Sequence, residues 1–360
     1  MKQFQFLLIL LFIVIPGAYA QVISGYIYDE VENKPLEGAF VYLDGTTINA
    51  STDARGYFTL KPGTVYNVPL IVTYVGFENF VLENPFSYKK TVKVLLRESS
   101  IHLDEVVISK NLPFTRKQML RAFRKQFLGT TASGRSCEIL NEDDIRLTYN
   151  LSTNTLQARS AVPLRIKNKR LEYNIAFNLV DFQVSYNTLT LSDLYLNKSF
   201  FAGTTAYSDI SKKGSADKKR RQAYLGSTVH FMKTMADNTW QEEKFQLYVD
   251  RWPANPDNHF EVSDSLSFKK IISLDDARAP AKASYLMDAG GKKETVKHKL
   301  RQHYSILYDR KDQSGFELTD GKFYIDKNGL FIPIQGITFS GYLSTLRAGD
   351  LLPSDYQYKP

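Results

Sequence analysis

The fold of the N-terminal part is decided by the stretch Thr52-Asp53-Ala54-Arg55-Gly56-Tyr57-Phe58-Thr59-Leu60. Its first half predicts a tight turn, because the Asp53 carboxylate can accept backbone N–H groups and Gly56 can adopt the positive φ that closes the turn. Its second half predicts a β-strand with Phe58 facing the core. We therefore interpret Asp53 and Gly56 as structural turn residues.

More short strands are predicted on both sides of this turn. They cover residues 22–28, 39–43, 70–75 and 91–96, and Gly, Pro and Asp residues separate them, including a tight turn at Asp44-Gly45. Short strands at this spacing predict an all-β sandwich.

Four groups of residues in this region resemble, in order, the carboxypeptidase-regulatory-like domain. They are Gly25 with Asp29, Pro35-Leu36 with Gly38-Ala39 and Val41, Thr52-Asp53 with Gly56 and Phe58, and Tyr74-Val75-Gly76-Phe77. The resemblance implies a transthyretin-like, seven-stranded β-sandwich over residues 21–97, of a kind widespread in exported proteins of Bacteroidetes-type bacteria. It implies no peptidase activity, because this family is the accessory domain that stands beside the enzyme.

Residues 1–20 have the three parts of a secretory signal peptide. Lys2 supplies a positive charge, residues 4–16 are almost wholly apolar, and Gly17-Ala18-Tyr19-Ala20 offers a small-residue cleavage site. The apolar run is shorter than the roughly 20 residues that a spanning helix needs. We therefore expect cleavage after Ala20, export to the periplasm, no membrane span in the mature chain, and association with the outer membrane through a partner.

Composition and charge limit the kinds of binding partner that we expect and the role of the single cysteine. The 360 residues are 43% hydrophobic with a formal net charge of +8, and the single Cys137 excludes an intramolecular disulfide. We interpret Cys137 as a buried small hydrophobe. Basic clusters at residues 212–221 and 292–301 could meet an acidic glycan or lipid surface, but the Gly, Ser and Asp content of the first cluster favours a solvated loop. Export makes nucleic acid an unexpected partner.

Residues 98–130 are predicted to join two domains. Leu103-Asp104-Glu105-Val106-Val107-Ile108 is similar to a segment of TonB-dependent receptors that is associated with pairing to the energy-transducing protein, which implies a partner strand. The favoured alternative is a last strand or linker of the sandwich, since β-branched runs are common in strands. Residues 113–127 predict an amphipathic helix, ended by Gly129, that packs on the next domain.

Residues 131–360 predict a larger antiparallel, β-rich domain. Strand patterns occur at residues 173–186, 245–249 and 306–308, and Asn328-Gly329 predicts the turn of a hairpin over residues 323–332. Ser227 is predicted to cap one short helix over residues 228–236. The domain is similar to an uncharacterised Bacteroidetes family in five places: Phe127-Leu128-Gly129, Cys137 with Ile139 and Asn141, Pro163-Leu164 with Ile166 and Asn168, Tyr224 with Gly226-Ser227 and His230-Phe231, and Leu351-Leu352-Pro353.

The sequence contains one weak candidate for a catalytic residue, His230. His230 is a possible catalytic base only if an acid or nucleophile lies beside it, and a satisfied structural histidine is the favoured alternative. The other histidines lack metal-ligand spacing. The nucleophile elbow and the P-loop are also missing from the sequence. We therefore predict no catalytic residue, no metal and no cofactor.

The sequence thus favours a non-enzymatic binding or scaffolding protein of the bacterial cell envelope, docked on an outer-membrane assembly through a protein partner. Two alternatives stay open. One is an envelope hydrolase acting on glycan or peptide through residues 131–360, and the other is an accessory partner of TonB-dependent import that uses residues 103–108.

Overall fold

A computed structural model describes residues 22–88, 90–99, 113–278, 281–287, 293–299 and 301–358, with only the backbone described for 281–287 and 293–299. Strands account for 42% of the structure and helices for 20%, which confirms the prediction of a mainly β protein. The described chain forms two compact units, one of residues 22–42 and 48–99 and one of residues 43–47 and 113–358. The predicted signal peptide and residues 103–108 lie outside the described residues.

Seven strands form the sandwich. They are β1 (Ile23–Asp29), β2 (Phe40–Leu43), β3 (Asn49–Ser51), β4 (Tyr57–Leu60), β5 (Leu70–Thr73), β6 (Phe80–Leu82) and β7 (Val92–Leu96). One sheet has the order β4-β1-β7 and the other β3-β2-β5-β6. Apolar side chains such as Ile27, Phe58 and Leu70 are buried. The predicted seven-stranded sandwich is therefore confirmed.

The turn before β4 places Asp53 and Gly56 as follows. The Asp53 carboxylate accepts the N–H groups of Arg55 and Tyr57, both at 2.9 Å. The hydrogen bond from Tyr57 holds the pKa of Asp53 below its ordinary value. Gly56 has φ 73°, and a Cβ there would lie 2.4 Å from the Ile27 carbonyl oxygen, so the turn requires glycine.

The second unit contains the remaining strands. They are β8 (Cys137–Ile139), β9 (Ile145–Asn150), β10 (Thr155–Ser160), β11 (Leu164–Asn168), β12 (Tyr173–Tyr186), β13 (Leu196–Asp209), β14 (Phe245–Val249), β15 (Trp252–Ala254), β16 (Phe260–Ser265), β17 (Phe268–Ser273), β18 (Ala281–Met287), β19 (Lys293–Lys299), β20 (Tyr304–Tyr308), β21 (Asp312–Leu318), β22 (Lys322–Asp326), β23 (Phe331–Ile332) and β24 (Ile337–Gly341).

Five α-helices accompany these strands in the described chain: α1 (Arg116–Leu128), α2 (Ala132–Arg135), α3 (Asp217–Tyr224), α4 (Thr228–Asp237) and α5 (Leu274–Arg278). Short 3-10 helices cover Pro85–Ser87 in the sandwich and Glu142–Asp144, Asp193–Tyr195, Pro256–Asn258, Ile334–Gly336, Leu343–Thr345 and Ala348–Asp350 in the second unit.

The first core of the second unit lies between α1 and a six-stranded sheet. The long strand β12 pairs with β13 along one edge, while β11 and β10 pair with successive parts of its other edge, and β8 and β9 complete the sheet. Phe123 and Phe127 of α1 meet Phe182 and Phe177 of β12 edge to face, at 4.7 and 4.9 Å between ring centroids. One face of the sheet is therefore buried under α1, as the amphipathic pattern predicted.

The helix α1 begins three residues later than predicted. Thr115 and Gln118 form a capping box that fixes the first turn, and Gly129, with φ 93°, ends the helix as predicted. The later start follows from Thr115, whose hydroxyl accepts the N–H of Gln118 and whose backbone is extended.

The second core combines two sheets with α4. Their orders are β15-β14-β20-β21-β24 and β16-β17-β22-β23. Phe231, Met232 and Met235 of α4 are buried in this core. The predicted hairpin is present, because Tyr324 pairs with Ile332 and Gly329 has φ 82°. Ser227 caps α4 by accepting the N–H of His230, also as predicted.

The prediction that residues 212–221 are a solvated loop holds for the exposed turn of residues 212–215 but is wrong from Asp217 onward. The prediction of a single helix in this domain is also wrong. Asp217 begins α3, and Arg220 is buried against the Tyr173 ring at 3.8 Å from its centroid. Hydrogen bonds from the Arg220 guanidinium hold the pKa of Asp209 well below its ordinary value. This tertiary packing outweighs the loop-like local composition.

Candidate functional site

His230, the candidate base, lies at the first turn of α4 with only 2% of its surface exposed. Its Nδ1 accepts the Gly226 N–H at 3.0 Å, so the proton lies on Nε2, which is 2.8 Å from the Glu243 carboxylate. Burial lowers the pKa of His230, and the hydrogen bond to Glu243 opposes that shift. The imidazole is therefore neutral and satisfied at both nitrogens.

Aromatic rings enclose this imidazole. Tyr224, Phe245 and Tyr308 lie 5.0, 5.1 and 5.6 Å from it between ring centroids. His230 thus has a carboxylate beside it, as a catalytic base needs, but its ring is packed in the core. This geometry suits a residue that fixes the start of α4.

A cavity of about 80 Å³ lies beside α4, and two of the quoted sequence motifs line it. Tyr224 and Ser227 form one wall, and Leu351, Leu352 and Pro353 form another. Burial raises the pKa of Tyr224 to about 12, so its phenol is neutral. A space of this size and composition can hold a small, largely apolar group.

The other motif residues anchor the chain that leads to this cavity. Asn168 is fully buried and donates from Nδ2 to the Gly349 carbonyl at 2.9 Å. A Cβ at Gly349 would lie 2.5 Å from the Leu128 carbonyl oxygen, which explains glycine at that position. Asp350 accepts from the Thr131 hydroxyl, and burial raises its pKa. These contacts are structural.

Cys137 is half-buried, so it is less enclosed than expected. Its sulfur donates weakly to the Ser133 carbonyl at 3.4 Å, and it packs against the first core. Burial raises the pKa of the thiol to about 12, which keeps it protonated and unreactive at neutral pH.

A hydrogen-bonded chain that the sequence did not predict joins four side chains of the second core. His259 Nδ1 is 2.7 Å from Asp275 Oδ2, and the Tyr304 hydroxyl donates to the same oxygen at 3.0 Å. Ser273 Oγ lies 2.7 Å from the Tyr304 hydroxyl oxygen. His259 lies just before β16 and Tyr304 begins β20, so they reach the neighbouring Ser273 and Asp275 only when these segments pack. No single local spacing could have revealed the chain. A carboxylate that orients an imidazole is an arrangement used in general-base catalysis.

The outer face of the six-stranded sheet carries a group of exposed basic side chains. On the side of the sheet away from α1, Arg146 of β9 lies directly opposite Arg159 of β10, and both are exposed. Arg165 and Lys167 project from the same face of β11. We call Arg146, Arg159, Arg165 and Lys167 the cationic face. Alternation of Ile145, Leu147 and Tyr149 is the sequence signal that could have placed Arg146 outward.

Within the described chain, none of these four cations has a carboxylate within 4 Å. The acidic groups nearby are already engaged. Glu138, opposite Lys167 on β8, pairs with Lys169 at 2.8 Å, and Asp181 accepts from Gln183 at 3.1 Å. Glu138 still attracts Lys167 at longer range, but the cationic face has no direct ion-pair partner among the described residues.

Two kinds of site are missing from the described residues. No three His, Cys, Asp or Glu side chains lie together in a way that could hold a metal ion. None of the described helices has both the length and the apolar character needed to cross a bilayer. The predicted partner strand, residues 103–108, lies outside the part of the chain that is described, as does the whole loop between β18 and β19.

Comparison with known families identifies the N-terminal part. Residues 23–108 match the model of the CarboxypepD_reg-like domain, which confirms the resemblance drawn from the sequence. The match continues past β7, the last strand of the sandwich, and includes residues 103–108. No curated protein is detectably similar to this chain.

Proposed function

We propose that this protein is an exported, non-enzymatic binding or scaffolding protein of the bacterial cell envelope, held on an outer-membrane assembly through its cationic face. The signal-peptide pattern of residues 1–20 and the CarboxypepD_reg-like domain support export to the periplasm.

The observation that carries the proposal is the pair Arg146 and Arg159. Like charges directly opposite each other on neighbouring strands destabilise a sheet. The pair is nevertheless present, exposed and without a carboxylate partner in the described chain. Residues that cost stability in the free protein are those expected to gain from a partner of opposite charge.

The experiment is fractionation of cells after chemical cross-linking, with wild type and two charge variants. Arg146→Ala with Arg159→Ala should release the protein from the envelope fraction. The control, Lys117→Ala with Arg121→Ala, removes the same charge from the exposed side of α1, on the opposite side of the sheet. Recovery of wild type as a free periplasmic monomer would contradict the proposal, as would equal release of both variants.

An envelope hydrolase is the second candidate, and the His259–Asp275 pair favours it over a role for His230. Nδ1 of His259 is held by the carboxylate, which leaves Nε2 to act as a base. The test is release of reducing ends or free amines from purified cell-wall glycan and peptide. Release by wild type that is lost in His259→Ala supports the hydrolase, and no release by wild type rejects it.

A further inference from the structure

We infer that the partner of the cationic face is an extended acidic polysaccharide, whose carboxylate or phosphate groups bind between Arg146 and Arg159 and along β11. This inference rests on the proposed function and names the chemistry of the partner.

The arrangement of the charges favours a linear polyanion. Arg146 and Arg159 lie on adjacent strands, with about 5 Å between Cβ atoms in such a pair. Arg165 and Lys167 are two residues apart on β11, which separates them by about 7 Å along the strand. β11 and β10 pair with successive parts of β12, so the two pairs of charges lie on one face of the sheet without being on neighbouring strands. A partner that meets both pairs must therefore be extended.

The guanidinium pair provides the strongest single site. Each guanidinium offers a planar fork of N–H donors that matches a carboxylate or phosphate in a bidentate way. One oxyanion between Arg146 and Arg159 replaces their mutual repulsion with two attractive contacts. Binding therefore relieves a cost that the free protein carries.

The neighbours of these cations favour sugar over lipid. The other outward positions of β9 and β10 include the exposed Thr148 and Asn150 and the half-buried Gln157, whose hydroxyl and amide groups can hydrogen-bond to sugar hydroxyls. The outward positions of β9, β10 and β11 include no aliphatic or aromatic side chain to enter a bilayer interface. A bilayer surface gains much of its binding from such apolar side chains, so the polysaccharide fits better.

The test is titration calorimetry of the purified mature protein with polygalacturonate, a linear chain of carboxylated sugars, in low and physiological salt. Wild type should bind polygalacturonate but not neutral dextran, and its affinity should fall as salt rises because counterions are released. Arg146→Ala with Arg159→Ala should weaken binding by about tenfold. The α1 control, Lys117→Ala with Arg121→Ala, should change binding by less than about twofold, because screening limits distant charges.

Several results would overturn the inference. The first is that wild type does not bind polygalacturonate in low salt. The second is that the cationic-face variant and the α1 control lose affinity equally. The third is that wild type binds phosphatidylglycerol vesicles or poly-glutamate more tightly than polygalacturonate. A mixed result separates the two proposals. If Arg146→Ala with Arg159→Ala is lost from the envelope fraction in cells but purified wild type does not bind polygalacturonate, the polysaccharide partner is rejected and the proposed docking role stands. Because a variant that fails to fold also fails to bind, Arg159→Glu provides a second arm. It creates an opposite-charge pair with Arg146 and is expected to fold at least as stably as wild type.

Discussion

The Arg220 guanidinium contacts both carboxylate oxygens of Asp209, at 2.7 and 2.8 Å, and so joins α3 to the end of β13. The same side chain donates to the Leu171 and Glu172 carbonyls and covers the Tyr173 ring. Only 6% of the Arg220 side chain is exposed. A basic residue in a run of lysines and arginines is thus part of the interior, where it connects three segments of the second unit.

Arg220→Met should destabilise the second unit by about 2 kcal/mol, because it leaves two carbonyls and a carboxylate without their donor. Urea unfolding followed by tyrosine fluorescence measures this loss. The matched control is Lys218→Met, an exposed residue of the same helix that should change stability by less than about 0.5 kcal/mol. Equal effects of the two substitutions would contradict the structural role of Arg220.

His230→Ala should destabilise the protein at pH 7 by about 2–3 kcal/mol, because it removes a buried ring and two hydrogen bonds. The folded pKa of His230 lies below its ordinary value, so the unfolded chain binds the proton more readily. The contribution of His230 is thus complete above about pH 6.5 and declines as the pH falls. The difference between wild type and His230→Ala should therefore shrink from pH 7 to pH 5.

That comparison is made by denaturant unfolding at both pH values. A difference that stays constant or grows at pH 5 would mean that the imidazole gains a proton in the folded protein. His230 would then be a more accessible group than its packing indicates.

Tyr304→Phe should cost about 1–2 kcal/mol, because the hydroxyl links Ser273 to Asp275 inside the second core. Burial raises the pKa of Tyr304, which keeps this hydroxyl protonated as a donor. Thermal unfolding of Tyr304→Phe is compared with Tyr308→Phe, a half-buried tyrosine on the same strand that packs against His230. A larger loss of thermal stability for Tyr308→Phe than for Tyr304→Phe would contradict a stabilising role of the hydrogen bonds that Tyr304 makes.

The sequence predicts those features that are coded locally. The Asp53 turn, the capping of α4 by Ser227 and the end of α1 at Gly129 each depend on a few neighbouring residues. Residues that act across long separations were not predicted. Arg220 contacts Tyr173, and His259 contacts Asp275, only after strands and helices pack. Local composition therefore placed Arg220 in a loop and gave no signal for the His259–Asp275 pair.

The cationic face was missed for a related reason. Its charges are single residues spaced along three strands. In the sequence, only the denser basic clusters at residues 212–221 and 292–301 were considered. The pairing of β9 with β10 brings Arg146 and Arg159 together. Period-two alternation could have predicted which residues face outward, but the register that makes them opposite each other depends on the turn between these strands.

The measurement that tests the central claim most directly combines stability and envelope association for Arg159→Glu. The substitution replaces a repulsive cross-strand pair with an attractive one, so its melting temperature should equal or exceed that of wild type. Association with isolated envelopes at physiological salt should nevertheless be lost, while Arg121→Glu on α1, with the same change in charge, should associate as wild type does. A stable Arg159→Glu protein that still associates fully with envelopes would contradict the role of the cationic face.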